Sequence, residues 1–133
     1  VTITVADAKR LLGDRANQAF RGLALEATGR IVKRTPVDTG RARGNWNIGL
    51  GQPDRTLTET VDKSGEATVA RGAAMIHQAG LDRTLYITNS VPYIVPLEHG
   101  HSRQAPAGMV AVTVAELQPL AQQIAAKIRA GSL

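Results

Sequence analysis

The chain has 133 residues, no cysteine and only 3% aromatic residues. That length suits one domain, residues 1–133, with a modest core built from Ala, Val, Leu and Ile, and it excludes a disulfide framework or a thiolate metal site. The net charge of +5 is uneven, because residues 1–45 hold nine lysines and arginines against four acids while the remainder holds seven of each sign. A basic stripe of this kind fits nucleic acid or an acidic partner as well as a solvated helix face.

Residues 1–5, Val-Thr-Ile-Thr-Val, alternate and are β-branched, which predicts a strand or extended arm. The first residues also carry Asp7, Lys9, Arg10, Asp14 and Arg15 without an unbroken apolar run, so no signal peptide is expected. No stretch approaches the roughly 18–20 apolar residues of a membrane span, and a soluble chain is expected. From Asp7 to about Arg34, Leu12, Ala16, Phe20, Leu23, Ala27 and Ile31 recur every three to four residues, as in an amphipathic helix about 40 Å long. Gly13, Gly22 and Gly29 interrupt it, as local bends or as points where a neighbouring helix comes close. Pro36 ends it by forcing Thr35 out of the α region.

Residues 45–62 predict two short strands around a turn at Gln52-Pro53-Asp54, the second carrying Leu57, Glu59 and Val61. Ser64 is a candidate N-cap for a helix through Val69, Ala73 and Ile76, with Gly80 its expected stop. Residues 84–89 form the strongest strand signal, followed by a turn at Asn89–Pro92. Tyr93–Leu97 reads as a short edge strand or an irregular segment, because Pro92 and Pro96 keep it off the centre of a sheet. Residues 98–108 read as a polar loop. Residues 109–115 fit either strand alternation or a helical stripe that continues to Ala130, and length and the alanine-rich end favour helix. The expected fold class is α+β, with a long N-terminal and a C-terminal helix packed on a small, mainly antiparallel sheet.

Three kinds of chemistry can be weighed. Asp38-Thr39-Gly40 matches the aspartic-protease triplet, in which two such loops share a proton. Here a helix and Pro36 precede it in place of a strand, and Arg41 follows at once, which favours ionisation of both carboxylates over sharing. Glu98, His99 and His101, with His77 on a helix, include a His-x-His that can chelate zinc, but no supporting ligand pair or second shell accompanies them. No nucleophile elbow and no phosphate loop occur, and Trp46, Phe20, Tyr86 and Tyr93 are too dispersed for base stacking. No metal or cofactor is expected.

The segment Pro36-Val37-Asp38-Thr39-Gly40-Arg41, followed by Gly44-Asn45-Trp46, is the most specific stretch in the chain. Ile87-Thr88-Asn89, Pro92-Tyr93, Leu97-Glu98-His99-Gly100 and Ala105–Met109 follow it in order. Over about residues 5–130 this pattern resembles the tail-component proteins of long-tailed bacteriophages and prophages, encoded beside the head–tail connector genes. One departure is Asn47–Gly51, a less clear strand than the family places after its tryptophan. The resemblance implies a non-enzymatic virion protein made in the host cytoplasm and placed at the head–tail junction or upper tail. It implies a tail-completion or head–tail joining (neck) component in a ring, most often hexameric, that meets connector or adaptor proteins and tail-terminator or tail-tube proteins. A tail terminator capping the tail tube is the alternative virion role. A dimeric aspartic protease and a basic DNA-binding module are the alternatives of other classes.

On this reading Asp38, Arg41, Arg43, Trp46, Glu98, His99 and His101 are candidate subunit-interface residues. Asp38 is expected to accept a main-chain N–H two residues on, and Gly40 to take a positive φ. Arg41 and Arg43 would then reach acidic groups, Glu98 of the same or the next subunit among them. Trp46 can be either a core residue or an interface anchor. The basic helix would attract DNA in the channel through its backbone alone, and no membrane contact is expected.

Overall fold

The computed structural model describes residues 5–132, with side chains described from Gly13 onward. The strand expected for residues 1–5 lies outside the described residues except at Val5, where the first helix begins. The order is α1 (Val5–Arg34), α2 (Arg41–Gly44), β1 (Trp46–Leu50), α3 (Glu66–Ile76), β2 (Leu85–Asn89), α4 (Ile94–Glu98) and α5 (Val110–Ala130). The class is α+β, with two long helices and a small antiparallel sheet. None of the described helices is long and apolar enough to cross a membrane.

Helix α1 organises the rest through two faces. Leu23, Ala27 and Ile31 meet α5, which carries Leu117 and Ala121 across a shared cleft. Ala24, Thr28, Val32 and Thr35 are buried and turn toward the sheet and α3. This second stripe is one that the sequence pattern understates, because it contains two threonines. Each of them returns its hydroxyl to the carbonyl four residues back, Thr28 to Ala24 at 2.8 Å and Thr35 to Ile31 at 2.7 Å, so neither brings an unpaired polar group into the core. Gly13, Gly22 and Gly29 have no close neighbour among the described residues, since an added Cβ would meet nothing within 4 Å. The close approach is at Gly72 of α3, where an added Cβ would lie 3.3 Å from both Ile48 and Thr28.

β1 and β2 pair antiparallel, with Trp46 opposite Asn89, Ile48 opposite Ile87 and Leu50 opposite Leu85. Ile48 packs with Ala24 and Ile76, and Leu50, Leu85 and Ile87 extend that cluster. A second cluster joins Ile31, Val32 and Trp46 to Ala105 and Met109, with Ile94 and Leu97 packed on it.

Four expectations about local structure need correction. The second strand of residues 45–62 is absent: residues 53–62 form an extended arm with no strand partner. Tyr93–Leu97 is neither strand nor irregular, because residues 94–98 form α4. Pro96 is its third residue, where a helix has no use for the N–H. The start of α3 is held by Asp62, whose carboxylate accepts the N–H groups of Gly65 and Thr68 at 3.0 and 2.8 Å and the Thr68 hydroxyl at 2.7 Å. Ser64 plays a lesser part through the Glu66 N–H. The helix stops at Ile76, before Gly80. The open choice at residues 109–115 resolves to helix from Val110, which continues through Pro119.

Candidate functional site

The Pro36–Trp46 segment leaves α1, turns at Gly40 and re-enters the core at Trp46. Gly40 has φ 94°, the left-handed region that glycine adopts without strain, and an added Cβ would lie 2.9 Å from the main-chain nitrogens of Asp62 and Lys63. The positive φ is therefore as expected. The Asp38 hydrogen bond is not: the N–H of Arg41 is accepted by the Thr39 hydroxyl at 3.2 Å, and the exposed Asp38 side chain has no bonding partner among the described residues.

Arg43 is engaged inside the chain. Its guanidinium donates to the carbonyls of Thr35 at 2.8 Å, Lys33 at 2.9 Å and Lys63 at 2.6 Å. It thereby satisfies carbonyls at the C-terminal end of α1, where a cation is favourable, and ties them to the end of the arm. Trp46 is a core residue, only 6% exposed, and its indole N–H donates to the Thr35 hydroxyl at 2.8 Å. Both side chains are thus engaged within the chain, and of the two readings open for Trp46 the core position is the one observed.

Glu98 is likewise engaged within the chain. Its carboxylate accepts the N–H groups of Met109, Val110 and Ala111 at 2.8–2.9 Å and so closes the start of α5. Burial pushes this carboxyl up, but the three N–H donors, with His99 beside them, outweigh it and hold it below the usual carboxylate range. Glu98 therefore pairs with neither Arg41 nor Arg43 in its own chain. Gly108 makes the contact possible: its φ is 83°, and a Cβ there would strike the main chain and carboxylate of Glu98.

Arg41 supports the arm. It donates to the Thr58 carbonyl at 3.3 Å and lies 3.2 Å from the exposed Glu59 carboxylate. Buried Asn45 does more for the arm than any other side chain. Its Oδ1 accepts the Thr58 N–H at 2.8 Å, and its Nδ2 donates to the carbonyls of Thr58 at 3.1 Å and Arg41 at 2.8 Å. Asn47 adds a bond to the Thr56 carbonyl at 2.9 Å. Two amide side chains thus take the place of a neighbouring strand.

The two halves of the sequence pattern meet at this turn. The Gln104 amide brackets Val37, accepting its N–H at 2.9 Å and donating to its carbonyl at 3.1 Å. The Asn89 amide donates to the Ala42 carbonyl at 2.8 Å. A cleft of about 420 Å³ lies between them, with Asp38, Thr39 and Arg41 on one side and Tyr93, Leu97 and Gln104 on the other. Comparison with known protein families, curated proteins and solved structures returns no match.

His99 and His101 are exposed on the loop after α4, and His77 is exposed at the end of α3. No group of three or more His, Cys, Asp or Glu side chains fit to hold a metal occurs among the described residues. Three arginines of the basic stripe of α1 are engaged as well. Arg30 and Arg34 both bind Glu116 of α5, and Arg21 donates to the Ala79 carbonyl at 2.7 Å. The Arg34 contact lowers the Glu116 carboxyl below its ordinary value. Asn45, Asp62 and Gln104 are the residues whose roles the sequence did not reveal. The spacing of Asp62 ahead of Gly65 and Thr68 was the one available signal.

Proposed function

We propose that this chain is a structural virion protein, a tail-completion or head–tail joining component that works as a ring at the head–tail junction and catalyses no reaction. The observation that carries this reading is the meeting of the two separated halves of the tail-component pattern around one cleft, with Gln104 clasping Val37 and Asn89 holding Ala42. The Asp38 turn supports a structural role over proteolysis: it is approached by a helix and Pro36, and Arg41 stands next to it.

Asp38, Thr39, His99 and His101 are the exposed polar groups of this end, and they are the side chains we assign to contacts with neighbouring connector or tail proteins. The basic surplus of residues 1–45 would add diffuse attraction to DNA in the channel. Electron microscopy of the purified oligomer and of phage particles tests this. A ring at the head–tail junction is expected. A ring on the last tail-tube layer would favour a terminator, and a persistently monomeric chain absent from particles would overturn the reading.

A further inference from the structure

Two segments, β2 and the arm, leave main-chain groups unfinished among the described residues. The Gly51 N–H bonds to the Thr84 carbonyl at 2.8 Å, so Thr84, Tyr86 and Thr88 face β1 in the antiparallel alternation. The N–H and C=O groups of Leu85, Ile87 and Asn89 therefore point away from β1, and none has a partner among the described residues. β2 also lacks the charges and prolines that usually blunt an edge strand.

The arm offers a second row. The Thr56 and Thr58 carbonyls and the Thr58 and Asp62 N–H groups turn inward, to Asn47, Asn45 and Gly40, while the Thr56 and Thr60 N–H groups bond Asp54 and Thr58 within the arm. By the same alternation Leu57, Glu59 and Val61 turn theirs outward, and these too have no main-chain partner among the described residues. The side chains of Leu57 and Val61 are 43% and 58% exposed. Arm and β2 thus each offer three alternate residues whose main-chain groups have no partner among the described residues.

We infer that the arm of one copy, residues 57–61, adds as a strand to the free edge of β2 in a second copy. Main-chain bonds would provide the affinity. The apolar cleft of about 430 Å³ between α1 and α5, which opens beside Ile87 and is walled by Leu23, Val114 and Leu117, would take an arm side chain. Both arm and β2 run antiparallel to β1, so between identically oriented copies the new pairing is parallel. Donor and acceptor edges differ, so the contact is head-to-tail and generates a closed ring or an open filament. The choice of a ring rests on the function proposed above; the strand pairing does not.

The free N–H groups give a selective test. Leu57→Pro and Glu59→Pro remove N–H groups that have no bonding partner among the described residues, so the monomer should keep its thermal midpoint while half-assembly needs about tenfold more protein or higher. Leu57→Ala, which keeps the N–H, should assemble far better than Leu57→Pro. Equal assembly of the two, with folding intact, would overturn the pairing.

The absence of cysteine allows a second test that does not depend on proline being tolerated. Single cysteines at Leu57, Glu59 or Val61 are mixed with a separate chain carrying Tyr86→Cys or Thr88→Cys and oxidised. Disulfides that form only in the mixture support the arm-to-β2 joint. Disulfides in the Thr88→Cys chain alone would show β2 pairing with itself and overturn it, as would no disulfide in any mixture. A ring without the mixed disulfide removes this joint and leaves the neck reading standing. Open filaments with the disulfide keep the joint and remove the ring.

Discussion

The turn at Pro36–Trp46 and the edges of the sheet are opposites. At the turn the conspicuous side chains are consumed within the chain: Arg43 by three carbonyls, Trp46 by the core and Thr35, and nearby Glu98 by the start of α5. At β2 and the arm, alternate main-chain groups have no partner among the described residues, while the side chains around them are unremarkable in type. Residues that look like contact chemistry in a sequence can be the ones that hold a domain together. Surfaces built to join copies can consist of backbone, which every residue carries and no composition reveals.

If the turn is structural, its loss should be felt in stability. Trp46→Ala opens a cavity in the cluster of Ile31, Val32, Ala105 and Met109 and strips Thr35 of its donor, so a cost of about 3–5 kcal/mol is expected, enough to threaten folding. Denaturant unfolding measures it. Arg43→Ala leaves the Lys33, Thr35 and Lys63 carbonyls without their donor, and about 2–3 kcal/mol should follow. A loss below about 0.5 kcal/mol with assembly abolished would return Arg43 to the interface.

The two carboxylates that close helix starts come next. Glu98→Ala should cost about 1–2 kcal/mol, because water can reach the N–H groups of exposed Val110 and Ala111 once the carboxylate is gone. Glu98 and Asp62 both titrate below their ordinary values in the folded chain. Their stabilisation is fully present above the unfolded carboxylate range, near pH 4, and is lost as pH falls through the lower folded values. Thermal midpoints should hold from about pH 7 to 5 and drop below about 4, and the drop should shrink in Glu98→Ala.

Much of the fold was legible where a period existed. The α1 stripe, the α3 stripe and the alternation of β2 all correspond to elements observed, and the length of the apolar run through Ile128 favoured α5 as helix. The arm was half legible. Leu57, Glu59 and Val61 do alternate in an extended segment, but its partners are the amides of Asn45 and Asn47, and side-chain pairing across about a dozen residues leaves no periodic trace. α4 was hidden by Pro96, which reads as a strand edge although the first turn of a helix accepts it. The site was least legible at Arg43 and Glu98. Their charges fit a partner protein as well as a helix terminus, and only the packed position of Thr35 and Met109 decides between them.

The smallest effects on stability should come from the residues left facing outward, and there the comparison is sharpest. Asp38 has no bonding partner among the described residues, so Asp38→Ala should change stability by no more than about 0.5 kcal/mol. Arg41→Ala removes an exposed ion pair to Glu59 and one bond to the Thr58 carbonyl, which predicts about 1 kcal/mol or less. Assembly should respond differently from stability in both. Arg41 holds the arm against the body, so its loss should weaken strand addition while the monomer stays folded. Asp38→Ala should impair only the docking of a neighbouring protein at the cleft, with copy-to-copy association intact. Sedimentation of the two variants beside their melting curves separates these outcomes. A large stability loss from Asp38→Ala would mean that the turn is one more closed junction, and that the outward-facing surface lies in the arm and the β2 edge alone.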